Sequence, residues 1–208
     1  MPALIDMAID FAGIYDKGLK LLHVGIGRGQ EIPGYRARGI EPICIEGDSG
    51  VTQVISAKYP DTQIHHAVVS DKCCDRLWYP TIPQECSSLH EIDYDVAAKR
   101  FPSIRSLEPT MVSCTTVDSM WLPPVAALIV DAQGHDYEVL VGAEETLRPC
   151  ELVMCEVWFK SLYKGTKLLA EVESYLAAQG FELKHLRPGS TPDFWGDAIF
   201  LRRDKWLF

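Results

Sequence analysis

Short, almost uninterrupted apolar runs recur along this chain, and most are followed by a stretch with helical spacing. The runs are "LKLLHVG" (19–25), "PICIEG" (42–47), "TQIHHAVVS" (62–70), "AALIVDA" (126–132) and "CELVMCEVW" (150–158). The helical stretches are "QEIPGYRARG" (30–39), "SGVTQVISAKYP" (49–60), "DYEVLVGAEETL" (136–147) and "KLLAEVESYLAAQG" (167–180). A strand that is apolar on both faces must be covered on both, which is the property of a parallel sheet layered between helices. Pro33 fits a helix only near its first turn, Pro60 ends the second helix, and Gly180 suits the C-cap of the last. The end of the chain departs from this rhythm. "FELKHLRPG" (181–189) and "FWGDAIFLRR" (194–203) are two strands with only a Pro/Gly loop between them, an antiparallel hairpin at the sheet edge. The pattern predicts a three-layer α/β fold with a mostly parallel sheet.

The length of 208 residues suits one sizeable α/β domain over 1–208 rather than two. The opening "MPALIDMAIDFAGIYDKG" (1–18) has the spacing of an amphipathic helix packed on that domain. It lacks a basic leading region, and Asp6 and Asp10 interrupt its apolar stretch, so it does not read as a secretory signal. No uncharged run approaches a membrane span, and the expected location is cytoplasmic. Residues 71–110, with Pro80, Pro83, Pro102 and Pro109, are too long for a plain connection. They read as a variable insert that forms a lid or pocket wall and shapes the acceptor side. A formal net charge of −9 argues against a dedicated nucleic-acid partner. The oligomeric state is not legible.

The seven cysteines are an odd number without a secretory signal, which points to reduced thiols. Cys44, Cys114, Cys150 and Cys155 sit in or beside apolar runs and read as small core residues. Cys73, Cys74 and Cys86 share a region with His65, His66 and His90, where a zinc site is conceivable, but no C-x2-C or H-x3-H pattern appears and adjacent Cys73 and Cys74 are poor ligand geometry.

Chemistry enters at "HVGIGRGQE" (23–31). Gly25, Gly27 and Gly29 alternate after the first strand, where the loop faces the ligand crevice of such a sheet. A dinucleotide fingerprint would need a glycine where Gln30 stands. The observed G-x-G-x-G spacing lets the chain pass flat against an amino-acid moiety and a ribose, which suits S-adenosylmethionine. Glu46 ends the second strand, where a carboxylate can accept hydrogen bonds from both ribose hydroxyls.

The whole pattern resembles the FkbM family of S-adenosylmethionine-dependent methyltransferases over about residues 20–203. "LLHVGIGRGQE", "ICIEGD", "AVVSD" (67–71), "SSL" (87–89), "VSCTTVDSM" (112–120), "LIVDAQGHDYEVLVGAEETL" (128–147), "LVMCEVWFKSLYKG" (152–165), "GFEL" and "WGDAIFLRR" each resemble a family element. The resemblance implies a class I, Rossmann-like domain with a seven-stranded sheet. It also implies O-methylation of a hydroxyl on a sugar, glycan or other natural-product acceptor. Laid on this sequence, it places His23, Gly25, Ile26, Gly27, Gly29, Gln30, Glu46, Gly47, Val68 and Asp131 around the cofactor. Three positions depart from the family's habit. His23 stands for an acid, Ile129 for a lysine, and Asp136 for a longer glutamate.

A hydroxyl acceptor benefits from a general base as well as from alignment with the methyl group. Asp131 ends the fourth strand at the crevice and is the candidate positioning or proton-accepting carboxylate. His135, one turn on, titrates near neutrality and is the candidate base. Glu156 ends the fifth strand, on the acceptor side. With Asp131 and Asp136 it also forms a possible oxygen-rich site for a hard divalent cation. Trp158, Tyr163 and Trp195 are candidate stacking surfaces for an acceptor at the crevice rim. Two other classes remain open: a methyltransferase-fold binding module without catalysis, and a nicotinamide-dependent oxidoreductase.

Overall fold

The computed structural model describes Ile9 and residues 20–203. The N-terminal helix expected over 1–18 therefore lies outside the described residues, except that Ile9 is helical and fully buried in the core.

Seven strands form the central sheet: β1 (Leu21–Val24), β2 (Ile43–Glu46), β3 (Gln63–His66), β9 (Ala127–Val130), β10 (Leu152–Trp158), β11 (Phe181–Pro188) and β12 (Trp195–Arg202). Their order is β11-β12-β10-β9-β1-β2-β3. The pairings from β3 through β10 are parallel, and β12 runs antiparallel to both β10 and β11. The final hairpin thus inserts its second strand between β10 and β11. The fold is the expected Rossmann-like α/β domain.

Alternation along each strand builds the two cores. Leu22, Val24, Leu128, Val130, Val153 and Cys155 join one apolar cluster. Their neighbours Leu21, Ala127, Ile129, Leu152 and Met154 join the other. The first cluster is covered by α4 (Asp136–Val141), α5 (Glu144–Leu147) and α6 (Leu169–Ala178), the second by α1 (Ile32–Ala37) and α2 (Ser49–Lys58). Burial of such side chains stabilises by roughly 1.5–3 kcal/mol each, which is why the sheet needs helices on both faces. Cys44, Cys114, Cys150 and Cys155 are buried, in the places expected for core residues. Among the described residues, no helix is long and apolar enough to cross a membrane.

Two elements differ from the sequence reading. The strand expected over 62–70 is split. β3 stops at His66, and β4 (Val68–Val69) leaves it to pair with β8 (Thr110–Thr115), itself paired with β5 (Cys74–Trp78). The hinge is Ala67, whose N–H donates to the Glu46 carbonyl at 3.1 Å. The helix expected over 136–147 is broken at Gly142. A Cβ there would lie 2.1 Å from the Ser70 carbonyl, so the backbones of β4's end and the helix meet where no side chain fits. The second piece, α5, restarts on Asp118, whose carboxylate accepts from the Glu145 N–H at 2.9 Å and the Thr146 N–H at 2.9 Å.

The insert 71–110 is ordered rather than loose. Besides β5 it holds β6 (Thr81–Ile82), a short turn of helix at Gln84–Cys86, α3 (Tyr94–Arg100) and β7 (Arg105–Ser106). Ile92, Ala97, Trp158, Leu162 and Tyr163 form a third, smaller core beneath it.

Candidate active site

A crevice of about 290 Å³ opens at the carboxyl ends of β1, β2 and β9. That volume lies at the lower edge of the range for small-ligand sites. Its floor is the glycine loop. Gly25, Gly27 and Gly29 all have positive φ, at +80°, +54° and +66°. A Cβ on Gly25 would sit 1.9 Å from the Asp131 carbonyl oxygen, so this glycine lets β1 and β9 close together. A Cβ on Gly27 would meet nothing within 4 Å, because this glycine faces the open crevice. Gly29 packs backwards against Tyr59 and Ile32 and does not line the cavity.

Glu46 holds the loop in place. Its Oε2 accepts from the Gly27 N–H at 2.8 Å and its Oε1 from the Asp48 N–H at 2.9 Å. Each oxygen keeps a further acceptor direction. Burial pushes this carboxyl above the ordinary range. Gly47, Val68, Ile26 and Gln30 line the same crevice.

His23 points to the α1 face by strand alternation. Its Nδ1 lies 2.9 Å from the Tyr35 hydroxyl, and its Nε2 is buried at the crevice with no hydrogen-bond partner. Burial lowers its pKa to about 3, so it is a neutral imidazole where the family has an acid. What replaces the charge is one unengaged ring nitrogen.

Asp131 stands opposite the loop. Its Oδ1 accepts from the Gln133 amide at 2.6 Å, and the Tyr163 hydroxyl donates to Gln133 Oε1 at 3.3 Å. Gln133 holds φ at +51°, a conformation seldom kept by a residue other than glycine without surrounding restraint. Burial, with Asp197, Glu31 and Glu46 adding like charge, raises Asp131 to about 7. Gln133 was not singled out from the sequence, because nothing in "DAQG" marks a glutamine as the residue that aims an aspartate.

His135 is buried and also lines the crevice, but both its nitrogens are engaged. Nε2 lies 2.9 Å from Ser70 Oγ, and Nδ1 lies 3.0 Å from His90 Nε2. Burial lowers its pKa to about 4. Asp136 turns back on its own loop and accepts from the Ala132 and Gly134 N–H groups, each at 3.2 Å.

The acceptor-side readings need correction. Trp158 and Tyr163 are buried in the third core, edge to face with ring centroids 5.4 Å apart, and offer no stacking face at a rim. They were misplaced because the insert covers the end of β10, which alternation within the strand cannot reveal. Glu156 is buried beside Asp197, its register partner on β12, and does not line the crevice. The oxygen-rich cation site expected from Asp131, Asp136 and Glu156 is not formed. Among the described residues, the group whose donor atoms all lie within 4.8 Å of one another is His90, His135 and Glu138.

The insert supplies the roof that sequence reasoning could name only as a segment. Trp78, Gln84, Glu85, Ser87 and Leu89 line the crevice. The turn at Gln84–Cys86 is tied to both rims. Glu85 pairs with Arg28 of the glycine loop at 2.6 Å, and the Gln84 amide donates to Asp48 at 2.6 Å. The Tyr163 hydroxyl lies 3.1 Å from the Cys86 carbonyl as well, so its single proton is shared between that carbonyl, behind the turn, and Gln133.

Comparison with known proteins bears on the family and the fold. The family described as "Methyltransferase FkbM domain" matches residues 36–183. A methyltransferase FkbM from Methylobacillus flagellatus KT superposes with TM-score 0.58 at 14% identity, covering 88% of this chain and 43% of that one. The chain therefore spans under half the length of that relative. A magnesium protoporphyrin IX methyltransferase from Synechocystis PCC 6803 with bound S-adenosylmethionine gives TM-score 0.54 at 10% identity, covering 97% and 79% of the two chains. A SAM-dependent methyltransferase from Aquifex aeolicus gives 0.52 at 13% identity, covering 95% and 89%. These identities carry the fold alone. No curated protein matches the chain by sequence.

Proposed function

Because the chain belongs to the FkbM methyltransferase family, we propose that it moves a methyl group from S-adenosylmethionine to a hydroxyl of a sugar, glycan or other small-molecule acceptor. The observation that carries the reading is the Glu46 clamp on the Gly27 N–H, set at a glycine whose missing side chain leaves the crevice open. The donor set fits the cofactor. Glu46 keeps two acceptor directions for a ribose diol. His23 Nε2 is an orphaned buried nitrogen that suits an ammonium donor. Gly25, Ile26, Gly27, Gln30, Gly47 and Val68 line the cradle together with Arg28, Glu31 and Asp48, with Gly29 shaping the turn behind it.

When bound, S-adenosylmethionine supplies an electrophilic methyl group on a sulfonium. The protein's own residues then have two tasks. The first is alignment of acceptor and methyl for in-line displacement. The walls of the crevice and the roof at Gln84–Cys86 exclude water and hold that alignment. The second is removal of the hydroxyl proton. We assign it to Asp131, whose Oδ2 is free while Gln133 fixes Oδ1. Its pKa of about 7 places it close to working pH, where a general base is most effective. His135 is the less direct base, since accepting a proton would break one of its two contacts.

Calorimetric titration with S-adenosylmethionine, S-adenosylhomocysteine and NAD tests the reading. Both sulfur nucleosides are expected to bind and NAD is not. In Glu46→Ala the affinity should fall about 10- to 100-fold, the worth of one or two charge-assisted hydrogen bonds. Unchanged affinity in that variant would remove Glu46 from the ribose site.

A further inference from the structure

His90 and Glu138 meet His135, which lines the crevice, at one point, although 45 residues separate the two histidines. Each is placed by its own element. His135 precedes α4 and Glu138 lies in its first turn, so the i,i+3 spacing sets both on one face. His90 comes from the insert, where Ser88 Oγ accepts from the His90 N–H at 3.0 Å. Ser88 is fully buried, so this anchor is rigid.

Hydrogen bonding around His135 decides where its protons are. Arg76 pairs with Asp71, whose carboxylate can only accept. The Ser70 hydroxyl has one proton and donates it to Asp71 Oδ1 at 2.9 Å. Ser70 Oγ, 2.9 Å from His135 Nε2, must then accept from it. His135 therefore carries its proton on Nε2 and aims the lone pair of Nδ1 at His90 and Glu138. His90 Nε2 lies 3.0 Å from that nitrogen. Glu138 Oε2 lies 3.6 Å from His135 Nδ1 and 3.7 Å from His90 Nε2. This carboxylate oxygen is buried with no hydrogen-bond partner. A buried anionic oxygen without a donor is costly, and a cation between the three atoms would satisfy it.

We propose that His90 Nε2, His135 Nδ1 and Glu138 Oε2 form a binding site for a first-row divalent cation, with Zn²⁺ the best fit. Tetrahedral coordination at about 2.0–2.1 Å sets neighbouring donors about 3.3–3.4 Å apart. The three separations here, 3.0, 3.6 and 3.7 Å, bracket that spacing. Two imidazoles and one carboxylate favour zinc and its neighbours over Mg²⁺ or Ca²⁺, which prefer all-oxygen ligands. Ser70 supplies the outer hydrogen bond that histidine ligands regularly make. Three protein ligands leave a position for water or an acceptor oxygen. The site does not rest on the methyl-transfer reading.

The test is chelator-treated full-length protein titrated with Zn²⁺ by calorimetry and with Co²⁺ by visible absorption. One ion per chain is expected, with cobalt d–d bands and no thiolate charge-transfer band. Glu138→Gln and His90→Ala should each weaken binding about 100-fold or more, and Ser70→Ala about 10-fold. Imidazole ¹⁵N resonances of the unmodified protein give a reading that needs no variant, since two histidines should shift on zinc addition. No uptake, no histidine shift, a thiolate band, or affinity unchanged in the variants would each overturn the proposal. A plain His90–His135 hydrogen bond would give the first two of these results.

Discussion

Two neighbouring glycines of the loop after β1 have opposite duties, and substitution should separate them. Gly27→Val puts a branched side chain into the open crevice at φ +54°. It should cost about 1–2 kcal/mol of stability from the left-handed backbone yet abolish binding of S-adenosylmethionine, as read by thermal unfolding and calorimetry. Gly25→Ala should do the reverse in kind. Its Cβ would fall on the Asp131 carbonyl, so the fold itself should fail, seen as loss of soluble protein or a large fall in Tm. Asp131→Asn should keep the fold and lower kcat by about 10²–10⁴-fold. A pH–rate profile should lose its acidic limb near the pKa of about 7 in that variant. If the limb remains, another group is the base. At this scale the sequence showed the loop glycines, Glu46 and Asp131, because each sits at the end of an apolar run. It could not show Gln133, nor that His90, grouped with the nearby cysteines, faces His135 and Glu138 instead, because these partners are set by tertiary contact alone.

Among elements, the sheet was legible and the insert was not. Strands apolar on both faces leave no other way to be buried, so their order of alternation with helices carries the fold. The pieces of 71–110 are short and pair with distant segments, such as β5 with β8 and Gln84–Cys86 with the two crevice rims. No periodicity marks such elements. The break between α4 and α5 has the same origin, since it follows from β4's end pressing on Gly142. Asp118→Ala should remove the cap that restarts α5 and cost about 1–2 kcal/mol in denaturant unfolding. Glu85→Ala removes an ion pair between well-exposed side chains. Stability should stay within about 0.5 kcal/mol of the unmodified protein, while the cofactor should dissociate several-fold faster in stopped-flow exchange. An unchanged off-rate would make the roof a passive wall.

Across the molecule, several of the chain's acids are buried close together at the sheet's carboxyl edge. Asp131, Glu156 and Asp197 lie at adjoining strand ends, with Asp136 behind them, and Arg187 pairs with Asp197 at 2.8 Å. Asp131 is raised by burial and by Asp197, Glu31 and Glu46. Glu156 is raised by burial and by Asp131, Asp136 and Asp197. A raised carboxyl binds its proton more tightly folded than unfolded. Its contribution to stability is complete below the ordinary value of 3.8 and is lost as pH climbs through about 7. The protein should therefore unfold at lower temperature at pH 8 than at pH 5.5. Asp131→Asn should recover about 1–2 kcal/mol of the difference. A flat Tm across that range would place these acids in better-solvated surroundings.

The turn at Gln84–Cys86 is fastened to the glycine loop on one side and to the start of α2 on the other, with the crevice beneath it. A cofactor held beneath it, as proposed, would meet these two fastenings on that side of the crevice. Under the proposed function, the off-rate of the cofactor would then carry the breaking of these two contacts, each between exposed side chains, as one added step.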